Sequence, residues 1–188
     1  MKKGKRYQNV VVIGFKSSGK TRIGKLLAKN LGLEYIDIDT LIEDEHASSG
    51  NSPGNRPATV RGIYKKFGKE IFCKLESKAL KKAARKRKSV ISLGGGSPVN
   101  KSFKKADFIN AAFVYLCASP AILYGRIKAK GLPPFLDKKR PLASFNELYK
   151  KRAPVYEKIA DITVDNASGR PARVCDEIIK KLEEVYGG

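Results

Sequence analysis

The stretch V-V-V-I-G-F-K-S-S-G-K-T, Val10 to Thr21, constrains this chain more than any other. Four β-branched apolar residues in a row, Val10–Ile13, read as a strand buried on both faces. Gly14 ends it. Gly14, Gly19, Lys20 and Thr21 then match G-x-x-x-x-G-K-[ST], the phosphate-binding P-loop. Ile23, Leu26, Leu27 and Leu31 follow at helical spacing, so the order is strand, loop, helix, the context this motif needs. Glycines let the loop curl until its N–H groups face inward and make an anion cradle, and the helix dipole adds to it. Lys20 has the reach for the β- and γ-phosphates of a nucleotide, and the Thr21 hydroxyl is suited to Mg²⁺. A plain glycine turn before a core helix is the bland alternative. Ser17 and Ser18 stand where glycine is often found, which makes the loop less permissive.

The rest of the chain alternates strand and helix patterns, which predicts a parallel sheet with helices on both faces. Glu34–Ile38 reads as the second strand, and Thr40–His46 begins a helix. Ser48–Pro57 is a loop rich in Gly, Pro, Ser and Asn. Helical spacing returns over Val60–Phe67 and again over Glu70–Ala84. Ser89–Leu93 and Ala112–Leu116 read as buried strands, and Phe103–Ile109 as a short helix between them. Ser119-Pro120 opens a helix through Lys128. Lys130–Pro141, with three prolines and four basic residues, reads as a mobile basic lid. A helix over about Ser144–Lys158, an edge strand Ile162–Val164 and an amphipathic helix Pro171–Val185 complete the pattern. A length of 188 residues suits one domain with a full core.

Bulk properties exclude several function classes. No apolar run approaches a membrane span of roughly 20 residues. The basic start followed by Val10–Ile13 is too short for a secretory signal and runs into the loop, so a cytoplasmic protein is the expectation. Three scattered cysteines argue against a disulfide framework or a zinc site, and a single histidine, His46, nearly excludes a Ser-His-Asp mechanism. The net charge is +21, densest at Lys81–Lys88. A polyanionic partner is the sharp reading of that charge. A solvated basic face is favoured, because no aromatics interleave with the run as base stacking would want.

Three further groups carry chemistry. Asp37 and Asp39 sit at the C-terminal end of the second strand, the edge where open α/β sheets bind ligands, and alternation places both on one side. They suit Mg²⁺ and a substrate hydroxyl, the alternative being that Asp39 caps the next helix. Gly94-Gly95-Gly96 after a buried strand permits close approach of a ligand to backbone. Arg140 in the lid and Arg152 in the next helix suit anions, and Arg126 suits an adenine face.

With these pieces in order, the sequence resembles a shikimate kinase, a small P-loop kinase of the nucleoside-monophosphate-kinase type. The resemblance spans nearly the whole chain through G-F-K-S-S-G-K-T-R-I-G-K-L-L-A, D-I-D-T-L-I-E, S-L-G-G-G, R-P-L-A and K-R-A-P-V-Y. It implies a three-layer α/β/α fold with a five-stranded parallel sheet, a substrate-binding segment at about 40–76 and a lid at about 129–143. It implies ATP-dependent phosphorylation of the shikimate 3-hydroxyl, with Mg²⁺ and no nucleic-acid or membrane partner, by a monomer. ATP would be held by Gly14, Lys16, Ser17, Ser18, Gly19, Lys20, Thr21 and Arg22 of the loop, and by Arg126, Arg140 and Arg170. Thr21 and Asp37 would position the metal. Asp39, Gly94, Gly95, Gly96 and Arg152 would bind shikimate, with Lys20, Asp39 and Arg140 catalytic.

One position departs from the family's pattern. The family's F-R-x-x-E reads Phe72-Cys73-Lys74-Leu75-Glu76 here, and its Arg shares the shikimate carboxylate. A thiol cannot replace that charge-assisted hydrogen bond. Arg56 and Arg61 are the nearby cations, in a segment, Ala47–Arg61, that is a few residues longer than usual. Two alternatives remain open: a kinase for another small hydroxy acid such as gluconate, and a non-catalytic nucleotide-binding or RNA-associated protein, motivated by Cys73 and the charge.

Overall fold

A computed structural model describes residues 7–49 and 59–186. Five strands form one wholly parallel sheet: β1 (Asn9–Ile13), β2 (Glu34–Asp37), β3 (Ser89–Ser92), β4 (Ala111–Cys117) and β5 (Ile162–Asp165). Their spatial order is β2-β3-β1-β4-β5. After β1 the chain fills one side of the sheet and then crosses to the other. That reversal opens a crevice beyond the C-terminal end of β1, between β3 and β4, where the P-loop lies.

Burial follows from the sequence period. Val11 and Ile13 point into one core and Val10 and Val12 into the other, and all four are fully buried. The first core gathers Ile38, Ile42, Ile63, Leu80, Phe113 and Phe145 beneath α2 (Ile38–Ser48), α3 (Val60–Ala84), α4 (Pro120–Ala129) and α5 (Pro141–Ile159). The second gathers Ile23 and Leu27 of α1 (Lys20–Leu31) with Val174, Ile178 and Leu182 of α6 (Pro171–Tyr186). The three-layer α/β/α architecture read from the sequence is the one observed.

Four local readings change. The second strand stops at Asp37, not Ile38, and the chain enters α2 at once. Asp37 therefore caps the helix, its Oδ1 accepting from the Asp39 amide at 3.1 Å, and Asp39 lies in the first turn. The expected helix over Phe103–Ile109 is only a single 3₁₀ turn, Lys105–Asp107. The helix expected from Ser144 starts at Pro141, whose fixed φ suits a first turn. The two helical patterns at Val60–Phe67 and Glu70–Ala84 run on as α3, broken at Gly68, where φ is 77° and ψ is −179°. The loop read at Ser48–Pro57 lies mostly outside the described residues, as do Arg56 and the basic first residues.

Candidate active site

The P-loop takes the conformation its glycines allow. Gly14 has φ 146° and Gly19, which caps α1, has φ 101°. A Cβ on Gly14 would lie 2.5 Å from the Leu116 carbonyl oxygen, so both positions require glycine. Ser17 adopts φ 65°, a left-handed conformation held by a residue that carries a Cβ. Lys20 folds back over the loop, its Nζ donating to the carbonyls of Gly14 at 3.0 Å and Phe15 at 2.9 Å. Burial pulls its ammonium down to about 8, against the opposing pull of Asp39 and Asp37. Lys16 and Arg22 are exposed at the loop's rim.

Beside the loop stands the acidic pair. Asp37 Oδ2 accepts from the Thr21 hydroxyl at 3.2 Å and from the Tyr35 hydroxyl at 2.8 Å. Asp39 is exposed as a residue, while its carboxyl is in part withdrawn from solvent among the charges of Asp37, Lys20, Lys16 and Glu43. Burial there, reinforced by the charge of Asp37, pushes it up to about 6. The strand alternation that was to align the two carboxylates ends at Asp37. The cap geometry brings them together instead.

Gly94, Gly95 and Gly96 join the two sides. A Cβ on Gly94 would lie 3.6 Å from Asp39 Oδ1, one on Gly95 3.1 Å from the Lys16 amide nitrogen, and one on Gly96 3.5 Å from Arg152 Nη2. Three successive side-chain-free positions thus face the acid, the phosphate loop and the arginine in turn. Glu76, a buried carboxylate on the apolar face of α3, holds this turn from behind. It accepts from Ser97 Oγ at 2.7 Å and from Asn100 Nδ2 at 2.6 Å.

Arg152 is clamped between two rings. Its guanidinium carbon lies 5.6 Å from the Phe15 ring centroid and 5.7 Å from that of Phe135, which lies between α4 and α5. Its Nε is buried and has no hydrogen-bond partner, so it is poised for an anion. Tyr156, one turn on, donates its hydroxyl to the Gly95 carbonyl. Burial pushes that phenol up to about 12, which keeps it protonated as a donor.

The remaining arginines lie elsewhere. Arg126 does not stand free for a base: its Nη2 donates to the carbonyls of Asn166 at 2.8 Å and Ala167 at 3.1 Å, just beyond β5. Arg170 is exposed at the end of that same loop. Arg140 is exposed at the start of α5, its amide donating to Asp137 Oδ1 at 3.2 Å. Arg61 donates to the Leu132 carbonyl at 3.0 Å, which ties α3 to the segment between α4 and α5. Cys73 is half-buried, its thiol pushed up by burial. Phe135, Tyr156 and Asn166 drew no individual reading from the sequence. Only Asn166, directly after an edge strand, has no local signal at all.

The family model for shikimate kinase matches residues 16–183. The chain belongs to the shikimate kinase family. A shikimate kinase from Thermodesulfovibrio yellowstonii is 33% identical over 96% of this chain and 98% of its own. One from Thermus thermophilus is 35% identical over 92% of this chain and 89% of its own. Among solved structures, a shikimate kinase from Acinetobacter baumannii in complex with shikimate superposes with a TM-score of 0.80 at 23% identity, covering 95% of this chain and 94% of that one. The Aquifex aeolicus shikimate kinase does so with a TM-score of 0.71 at 29% identity, over 94% of this chain and 96% of that one. Kinases of this family use ATP with a divalent metal ion. Among the described residues no helix is long and apolar enough to cross a membrane.

The donor set fits such an ion. The Thr21 hydroxyl and the Asp37 carboxylate stand side by side, and among the described residues no group of three His, Cys, Asp or Glu could form an all-protein cage. A small hard cation that keeps its waters and leans on substrate phosphates asks for no more protein than this.

Proposed function

We propose that this protein transfers the γ-phosphoryl group of ATP to the 3-hydroxyl of shikimate, acting as a single chain in the cytoplasm. The observation that carries the reading is the glycine turn. Gly94–Gly96 brings a carboxylate of raised pKa, the phosphate loop and an arginine with an unpartnered Nε around one space. A small hydroxy acid meets complementary groups there: Asp39 for its hydroxyl and Arg152 for its carboxylate. Gluconate would meet them too. The R-P-L-A and K-R-A-P-V-Y segments, which place Arg140, Arg152 and Tyr156, favour shikimate.

The chemistry follows from charge and position. The loop amides and Lys20 hold the β- and γ-phosphates, and Arg126, Arg170 and Arg22 flank the nucleotide. Thr21 and Asp37 would hold Mg²⁺, which would supply positive charge against the phosphates. Asp39 orients the acceptor hydroxyl and takes its proton as the oxygen bonds to the γ-phosphorus. The bond from phosphorus to the β–γ bridging oxygen breaks as that one forms, and ADP departs. Lys20 and Arg140 neutralise the charge spread over the equatorial oxygens. The segment at 129–143 covers the site and excludes water, and the segment at 40–76 carries the acceptor side.

Cys73 leaves the carboxylate with one arginine where the family's pattern has two. Arg61 is committed to Leu132, so Arg152 carries that contact among the described residues. The test is ADP release with Mg²⁺-ATP, with and without shikimate, for the wild type and Cys73→Arg. Shikimate-dependent turnover in the wild type supports the reading. Restoring one charge-assisted hydrogen bond in the variant is expected to lower the shikimate KM about ten- to a hundred-fold, the equivalent of about 1.5–3 kcal/mol. No turnover with shikimate in either protein, while both bind ATP, would overturn it.

A further inference from the structure

The tightest polar contact between the P-loop and the rest of the sheet comes from a residue none of the motifs contains. Asn166 follows β5 directly and is 5% exposed. Its amide donates to the Cys117 carbonyl at 2.9 Å, extending the β4–β5 ladder by one residue. Its side-chain Nδ2 donates to the Ser18 carbonyl inside the P-loop at 2.8 Å. Its own carbonyl accepts from Arg126 Nη2 at 2.8 Å. One buried residue therefore touches β4, α4 and the phosphate loop.

The contact sets the direction of a peptide. In a trans peptide the C=O and the N–H point opposite ways. The Ser18 carbonyl is fixed outward onto Asn166, so the Gly19 N–H is turned the other way, toward the concave side of the loop. The fit is mutual: a Cβ on Gly19 would lie 2.4 Å from Asn166 Nδ2. Gly19 therefore serves the φ of 101° and also makes room for the asparagine amide.

We propose that Asn166 is a positioning residue for nucleotide phosphate binding: it orients the Ser18–Gly19 peptide so that the Gly19 amide donates to the phosphates. Because Arg126 grips the Asn166 carbonyl, the same residue links α4 to the phosphate loop. The proposal rests on the reading of this loop as an ATP site.

The test uses the full chain with Asn166→Ala, Asn166→Asp and Asn166→Thr. ADP affinity is read by calorimetry, with the KM for ATP, the KM for shikimate and Tm measured alongside. Asn166→Ala is expected to weaken ADP and raise the ATP KM about ten-fold, the worth of one buried hydrogen bond. Asn166→Asp sets a carboxylate against the Ser18 carbonyl, two acceptors with no proton between them, and is expected to cost about a hundred-fold. Asn166→Thr, whose hydroxyl can donate, is expected to recover most of the loss. The shikimate KM stays within about two-fold throughout. Wild-type ADP affinity in Asn166→Ala would overturn the proposal. Equal loss of ADP and shikimate binding, with no recovery in Asn166→Thr, would also overturn it and leave only a structural role. Failure of the wild type itself to bind ADP would instead overturn the ATP reading beneath it, and wild-type ADP binding without shikimate turnover would remove the acceptor assignment alone.

Discussion

On the nucleotide side of the site, the backbone supplies the binding surface. Gly14 and Gly19 sit at positive φ, Lys20 is held by two carbonyls of its own loop, and Asn166 braces the Ser18 peptide from β5. On the acceptor side, side chains from distant elements do the equivalent work. Asp39 comes from α2, Arg152 and Tyr156 from α5, Phe135 from the segment between α4 and α5, and Glu76 from α3. The glycine turn after β3 is where the two meet. A backbone cradle binds any phosphate chain of the right shape, whereas a side-chain constellation can be retuned one residue at a time. Cys73 belongs to α3, outside the P-loop, so the residue it carries leaves the cradle intact.

Breaking the acceptor side at its centre gives the largest expected effect. Asp39→Asn should lower kcat by about 10²–10⁴-fold, the usual worth of a positioned base, with little change in ATP affinity. Wild-type kcat/KM should fall below a pH of about 6, where the raised Asp39 carboxyl takes its proton. The same pKa makes a stability prediction. Folded Asp39 titrates near 6 and an unfolded Asp near 3.8, so its favourable contribution is complete below 3.8 and is lost as pH rises through 6. Asp39→Asn should therefore stabilise the fold at pH 8 by no more than about 1 kcal/mol after allowance for solvent, seen as a higher Tm, and leave Tm unchanged at pH 3.5. Activity and stability moving in opposite directions would mark the residue as functional.

The comparison sharpens further at Phe135. Phe135→Ala removes one wall of the clamp on Arg152, worth about 0.5–1 kcal/mol for a partly exposed cation–π contact. The shikimate KM should rise about two- to five-fold while the ATP KM holds. A matching rise in both would mean the two sides are not separable. The smallest expected effect lies on the nucleotide side. Lys20, pulled down to about 8, is about half deprotonated in the free protein at pH 8, and nucleotide phosphates restore its proton. Calorimetry in two buffers of different ionisation enthalpy should show uptake of about half a proton per ADP at pH 8, vanishing near pH 6.5.

The same division explains what could be read from the chain beforehand. The P-loop, the buried strands and the glycine turn are local patterns, and each predicted its element. The strand-period argument that aligned Asp37 with Asp39 failed because it holds only while a strand lasts, and this one ends a residue early in a cap. Arg152 and Asp39 were legible as residue types in a family motif, but what holds Arg152 was not. Phe15 and Phe135 lie far apart in the chain and both reach it. Asn166 is the extreme case, 148 residues from the carbonyl it braces, at a position where an exposed loop asparagine reads the same.

The break at Gly68 divides α3 into two arms. The longer arm is riveted to the core through Leu75, Ala79, Leu80 and Ala83. The shorter arm is anchored in the same core by Ile63, and is fastened at Val60 to Glu43 of α2 and at Arg61 to Leu132 between α4 and α5. A Cβ on Gly68 would meet nothing within 4 Å, so the joint is free of steric obstruction and is governed by its backbone angles alone. Two stretches far apart in sequence, α2 and the segment between α4 and α5, are therefore tied to the same short arm.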